Sequence, residues 1–333
     1  MRERGANADA IRRPLRLRPS YDAKTWGGRR LERYGKALPP GCIGESLESG
    51  STAVVDGGLF DGVRLGDLAQ SHASALLGSL GRAVAGPFND FPLLVKLIDA
   101  GEDLSIQVHP DDAGAPEGKR GKSEAWVILD AAPGASLVTG VDGHIDLPGI
   151  ARQIVREPVE AGQVFLVPAG TVHAIGAGVL LYEIQQASDV TWRLYDWGRP
   201  REIHVQQALA AARPAQRATR TTPLRLDAWR EMLVACRYFA LERWRLSGRR
   251  RVAPLPTSAR IVTAIDGGLL VDDLVLPRGA TAILPADIGA LTLDGDAELL
   301  VGYAPDIAVD VVEPLRSAGY APASIRALGL DSV

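Results

Sequence analysis

The chain has 333 residues, 46% of them hydrophobic, and a formal net charge of −3. That length and apolar content support a substantial core and two domains, while the near-neutral balance offers no basic footprint for nucleic acid. No apolar run is long enough to cross a bilayer as a helix, and Cys42 and Cys236 form no CxxC pair, so free thiols in a reducing, cytoplasmic compartment are expected.

In chain order, the Arg-rich N-terminus MRERGANADAIRRPLRLRP lacks an apolar core followed by a cleavage site and reads as a short solvated extension. Lysine is scarce, at positions 24, 36, 96, 119 and 122 only, which singles each one out. Residues 65–81, LGDLAQSHASALLGSLG, carry apolar residues at helical spacing and end in glycines, predicting a helix. Residues 104–112 read LSIQVHPDD, where strand alternation puts Ile106 and Val108 on one face and Ser105, Gln107 and His109 on the other. GKSEAWVIL (121–129) opens another strand with Lys122 and Glu124 two apart. The runs ASLVTG, QVFLVPAG and GVLLYEIQ follow, punctuated by Gly and Pro. The densest polar stretch, LLYEIQQASDVTWRLYDWGR (180–199), sets Tyr182, Ile184 and Gln186 on one strand face and Glu183 and Gln185 on the other, then bends before Thr191 and Arg193. EIHVQQALAAARP (202–214) predicts a second helix, stopped by Pro214, and the polar AQRATRTTP after it reads as a linker. ARIVTAIDGG, LLVDDLVLPRG and TAILPA continue the β texture, and EPLRSAG carries one helix near the tail. The spacing indicates an all-β sandwich or barrel architecture, divided as 1–212, a linker at 213–223, and a smaller unit at 224–333.

An internal repeat supports two related β domains. GQVFLVPAGTVH (162–173) and GATAILPADIGA (279–290) share Gly, five residues and Pro, but Ala290 falls where the first copy has His173. No histidine follows His204, so only the first barrel can carry an imidazole site.

Gln107, His109, Glu124 and His173 make a four-ligand nitrogen/oxygen set without thiolate, which suits Zn(II) but also Fe(II), Mn(II) or Ni(II). His72, His144 and His204 read as surface residues. Glu183 and Arg193, on the stretch following His173, join Lys122 as a carboxylate and two cations beside the metal, the pattern needed to hold a phosphorylated substrate and move a proton.

The segments FPLLVKLIDAGEDLSIQVHPDD (91–112), GKSEAWVIL (121–129) and VPAGTVHAIGAGVLLYEIQQASDVTWRLYDWGR (167–199), with WGG (26–28) and IGESLES (43–49) more loosely, resemble the type I phosphomannose isomerases of the cupin superfamily. The resemblance implies two cupin-type double-stranded β-helix (jelly-roll) barrels with a few flanking helices, the second without a metal. It implies one Zn(II) per chain held by Gln107, His109, Glu124 and His173, with Lys122, Glu183 and Arg193 lining the pocket and Ser105 and Lys96 near the phosphate. The implied reaction interconverts mannose 6-phosphate and fructose 6-phosphate through a cis-enediol(ate), with Glu183 the leading base and metal-bound water its competitor. The expected partner is a small phosphorylated sugar, with no nucleic acid or membrane, in a monomer or homodimer. The chain departs from the family in lacking room for the large helical insertion of longer members, and in Trp192 and Ala125. Two other readings remain open at this point: a cupin Fe(II) oxygenase and a non-catalytic sugar-phosphate-binding cupin.

Overall fold

The computed structural model describes residues 11–330. Its strands, in chain order, begin with β1 (Leu15–Arg18), β2 (Ser20–Gly28), β3 (Ile43–Ser49), β4 (Val54–Val55), β5 (Leu93–Asp99), β6 (Ile106–Val108) and β7 (Glu124–Ala131). They continue as β8 (Ser136–Val141), β9 (Ile154–Pro158), β10 (Val164–Val167), β11 (Ala174–Ile175), β12 (Val179–Gln186), β13 (Trp192–Tyr195) and β14 (Thr219–Arg220). The remainder are β15 (Leu224–Arg225), β16 (Arg230–Ala235), β17 (Ala240–Leu246), β18 (Arg250–Val252), β19 (Arg260–Val271), β20 (Leu274–Leu276), β21 (Thr281–Leu284) and β22 (Leu291–Tyr303).

Antiparallel pairing builds a sheet in the order β14-β10-β7-β12-β5-β3-β2 and a second in the order β15-β16-β17-β22-β19-β21-β1-β4, with β18 on β22 and β20 on β19. Two small sheets, β11-β8-β9 and β13-β6, complete the first barrel. The expected all-β architecture with flanking helices is therefore what the chain adopts.

Strand β12 shows why the two large sheets meet. All eight of its residues are buried, and period-2 alternation sends them to two different interiors. Leu180, Tyr182 and Ile184 join Leu233, Leu241, Ile261, Ile283 and Leu300 in one apolar core shared by both sheets. Val179 and Leu181 point the other way, into the first barrel with Trp126 and Phe165. Glu183 lies on this inward face. The sheets approach closely at Gly302, where a Cβ would fall 2.4 Å from the Ile184 δ-methyl.

The repeat is visible in the ladders. Val167, just before Pro168, pairs with Glu124, and Leu284, just before Pro285, pairs with Arg260. Arg260 thus occupies in the second barrel the ladder position that Glu124 holds in the first. The second interior is filled instead by Trp244, Val262 and Leu299, and a buried carboxylate there, Glu242, accepts hydrogen bonds from Trp244 Nε1 at 2.6 Å and Tyr303 Oη at 2.8 Å.

Several expectations need correction. Residues 1–10 of the expected solvated extension lie outside the described residues, but Ile11, Leu15 and Leu17 are buried. Leu15–Arg18 is a strand of the second sheet, paired with β21 and β4. Three apolar residues in a short run, two of them alternating with arginines, are the signature of a half-buried strand. Leu15–Arg18 thus crosses to the second sheet, while Thr219–Arg220, within the stretch 213–223, pairs with β10 of the first. The helix expected over 65–81 is two, Leu65–Ser71 and Ala73–Ala85, broken at His72. Gly78 bends the second at φ +68°, where a Cβ would meet the Thr257 backbone at 2.4 Å. The helices expected near 202–214 and 313–319 form as Val205–Ala211 and Glu313–Ser317.

A buried ion pair also ties the barrels. Lys36 Nζ lies 2.6 Å from Glu48 Oε1, both side chains at most 2% exposed. Lys36 donates as well to the Gly279 carbonyl, and Thr281 Oγ1 donates to Glu48 Oε2 at 3.0 Å.

Candidate active site

The first barrel brings His109, Glu124 and His173 together in its floor, each 1% exposed. Their ligand atoms all lie within 4.8 Å of one another. His109 follows β6, Glu124 opens β7, and His173 bridges back to Gln107 through paired backbone hydrogen bonds of 3.0 and 2.9 Å. The short β6 ladder thus sets both histidines at one depth.

Tautomers are fixed by the backbone. His109 Nδ1 donates to the Val190 carbonyl at 2.8 Å and His173 Nδ1 to the Thr171 carbonyl at 2.9 Å. Each Nε2 is left as an acceptor, approached by Lys122 Nζ at 3.2 Å on His109 and by the Gln107 amide at 3.3 Å on His173, with Glu124 3.6 Å from His109 and 3.3 Å from His173. Burial holds the His109 imidazole well below its ordinary range, with the Lys122 ammonium adding to the effect. Burial likewise lowers His173 to about 4. With both rings neutral at pH 7, two imidazole acceptors and a carboxylate converge beside the Lys122 ammonium, which lies 3.2 Å from His109 Nε2. The Glu124 oxygens are buried without a hydrogen-bond donor, although the Lys122 ammonium makes an ion contact at 2.5 Å. A divalent cation at the convergence point would gather these lone pairs and the carboxylate charge, and the N/O donor set of two imidazoles and a carboxylate fits a divalent metal.

Gln107 stands beside the triad, but its amide presents nitrogen to His173 Nε2 at 3.3 Å while Oε1 accepts from Ser105 Oγ at 3.1 Å. To serve as the fourth ligand the amide turns over. Oxygen and nitrogen are interchangeable in that shape, so the flip needs no backbone movement.

Above the triad opens a cavity of about 400 Å³ whose lining includes Lys96, Ser105, Gln107, Lys122, Glu183 and Arg193. Every residue expected to handle substrate thus faces one space. Glu183 is buried, with Oε2 accepting from Trp126 Nε1 at 3.0 Å, while Oε1 has no hydrogen bond and sits 3.8 Å from Lys122 Nζ. Burial pushes the Glu183 carboxyl above its usual value, against the opposing pull of Lys122. Arg193 pairs opposite Gln107 across β13-β6 and is anchored by Nη1 to the Glu202 carbonyl at 2.8 Å, with Nε buried and unpartnered.

The same wall holds residues that sequence reasoning missed. Lys24, Asp22, Glu45 and Arg201 line the cavity. Glu45 clamps Lys96 at 2.9 Å and approaches Lys24 at 3.8 Å, and Lys24 pairs with Asp22 at 2.6 Å. Arg201 is braced by buried Asp196 at 2.5 Å. The available signals were the scarcity of lysine, which marked Lys24, and the position of Glu45 inside IGESLES. His204, expected at the surface, is only 17% exposed, and its Nδ1 accepts the Arg193 backbone N–H at 3.1 Å. His144 is exposed as expected.

Comparison with known proteins gives the same reading. Residues 15–125 match the model for the phosphomannose isomerase type I catalytic domain, and residues 230–304 match the mannose-6-phosphate isomerase cupin domain. The mannose-6-phosphate isomerase of Streptococcus mutans is 33% identical over 324 residues, covering 87% of this chain and 98% of that protein. Mannose-6-phosphate isomerase ManA of Bacillus subtilis is 31% identical over 318 residues with the same coverage. A crystal structure of the Bacillus subtilis mannose 6-phosphate isomerase superposes with a TM-score of 0.78 over 87% of this chain and 99% of that one, at 31% identity. Two barrels, one of them with a converging His–Glu–His floor under a cation-lined cavity, together with end-to-end similarity to these enzymes, place the chain in the type I mannose-6-phosphate isomerase family.

Proposed function

We propose that this protein interconverts mannose 6-phosphate and fructose 6-phosphate by moving a proton between C2 and C1. The observation that carries the reading is the buried carboxylate of Glu183, one oxygen fixed and the other unbonded, over a converging His–Glu–His triad. His109, Glu124, His173 and Gln107 would hold one divalent metal per chain, Zn(II) being the ion the family resemblance implies and one this N/O set accepts. A bound metal supplies Lewis-acid stabilisation of the developing enediolate charge, worth several kcal/mol.

The protein's own groups do the rest. Glu183 Oε1 takes the C2 proton of the open-chain aldose, giving a cis-enediol(ate), and returns it to C1. The hydroxyl proton passes from O2 to O1, and Lys122, between Glu183 and Glu124, is placed to relay it. Arg193 supplies a planar fork suited to phosphate oxygens, with Ser105 and Lys96 on the same wall. The reading takes the protein to work in the cytoplasm as a monomer or homodimer, without nucleic acid or membrane partners. Among the described residues no helix is long and apolar enough to cross a membrane. Residues 213–223 are taken as the junction between a catalytic barrel and a supporting one.

A coupled assay of mannose 6-phosphate conversion tests the activity, and full turnover after exhaustive chelation would remove the metal from the scheme. Oxygen uptake in that assay would instead favour an oxygenase. Arg193→Lys is expected to raise KM for the phosphorylated sugar about tenfold, because a point charge replaces a bidentate fork. An unaltered KM would point to another phosphate anchor. Trp126→Phe removes the N–H that stabilises the Glu183 carboxylate, so the already raised Glu183 pKa rises further. A base works only when deprotonated, and the acidic limb of the kcat–pH profile therefore moves to higher pH. A limb that stays in place or moves down contradicts the assignment.

A further inference from the structure

We propose that Tyr238 of the second barrel is a positioning residue for the catalytic backbone of the first, acting through Asp112 and Gln186. The inference rests on the isomerase reading above for its kinetic consequences, but its geometry stands apart from it.

The segment that needs placing is Gly121–Glu124, which carries both Lys122 and the triad carboxylate. Gln186, at the end of the strand bearing Glu183, grips it twice. Its backbone N–H donates to the Ser123 carbonyl at 3.1 Å, and its side-chain Oε1 accepts the Ser123 N–H at 2.9 Å. The Gln186 amide is oriented in turn by Asp112, whose Oδ1 accepts Gln186 Nε2 at 3.1 Å and the Gly121 N–H at 2.9 Å. The other Asp112 oxygen accepts the Tyr238 hydroxyl at 2.6 Å.

The direction of this last bond is set by chemistry. Arg237 donates to the Tyr238 oxygen and has no acceptor of its own, so the phenolic proton must go to Asp112. Tyr238 and Arg237 sit on the turn between β16 and β17, and this contact carries the second barrel, through Asp112, to Gly121, three residues before the triad carboxylate. The fit leaves no slack. A Cβ on Gly121 would come within 2.5 Å of the Asp111 carbonyl carbon and the Asp112 nitrogen. The chain Tyr238–Asp112–Gln186–Ser123 therefore fixes how far Lys122 and Glu124 stand from Glu183, which shares a strand with Gln186.

The test uses the metal-loaded full-length protein. Tyr238→Phe keeps the ring and removes the donor. Because sub-ångström misplacement of reacting groups lowers turnover, kcat is expected to fall about tenfold with KM unchanged. Metal stoichiometry should be unchanged, and amide hydrogen exchange should quicken at Gly121 and Ser123 but not elsewhere in the first barrel. Asp112→Ala should reproduce the loss, Asp112→Asn should lose as much as Tyr238→Phe because its amide nitrogen cannot accept the phenolic proton, and Tyr238→Phe should cost nothing further on top of Asp112→Ala. Wild-type kcat with unchanged exchange in Tyr238→Phe overturns the proposal, as does a loss that follows melting temperature or metal content. Additive losses in the double variant overturn it too. If the wild-type protein is inert on mannose 6-phosphate, the isomerase reading fails, and the exchange measurements decide the positioning chain by themselves.

Discussion

His173→Ala is expected to lose bound metal and isomerase activity together. The two imidazoles and the Glu124 carboxylate converge from three separate segments, and among the described residues no histidine or cysteine lines the adjoining cavity to replace one of them. Truncation leaves one imidazole, one carboxylate and an amide, a set too weakly basic to hold a divalent ion against solvent. Losing several kcal/mol of enediolate stabilisation corresponds to a fall in kcat/KM of about 10³-fold or more. Metal analysis after dialysis gives the first readout. The second is thermal: wild-type protein gains about 2.7 kcal/mol of stability at a metal concentration 100 times Kd, and the variant should gain almost none. A His173→Ala protein that keeps stoichiometric metal takes His173 out of the ligand set.

Glu183→Gln comes next in size. The amide has nearly the volume of the carboxyl and can still accept the Trp126 N–H, so the fold and the cavity persist. What disappears is a group able to take a proton. Positioned general bases contribute roughly 10²–10⁴-fold, and kcat should drop by that factor with KM within a few-fold of wild type. Exchange of the substrate C2 proton with solvent should slow in parallel. Turnover at the wild-type rate would move the base to another group.

Much of this centre is legible in the sequence because its residues obey local rules. Alternation in LSIQVHPDD puts Gln107 and His109 on one face, GKSE sets Lys122 and Glu124 two apart, and the Gly–Pro frame delivers His173 after a turn. The repeat also marks the second barrel as lacking an imidazole, and the ladder adds that Arg260 stands in for Glu124. What stays hidden depends on partners far apart in the chain. Nothing near Lys24 or Glu45 announces that Glu45 meets both Lys24 and Lys96 across adjacent strands. His204 reads as a helix-surface residue until β13 brings the Arg193 N–H to it. The Tyr238–Asp112 contact joins residues of two barrels through a side chain that is otherwise an ordinary turn tyrosine. Leu15–Arg18 was hidden by its arginines, whose outward faces resemble a solvated tail while Leu15 and Leu17 go inward.

That strand bears on how the molecule is made. Leu15 pairs with Ile283 and Leu17 with Thr281, so the segment is made long before its main partner in the chain. Until then its amides have only the two-residue β4 to bond, leaving an open edge of the kind that recruits stray strands. Closure of so long a loop is slow, since the entropy must be spent before the contacts form. The flanking arginines of LRLR keep that waiting edge charged and hence poorly adhesive.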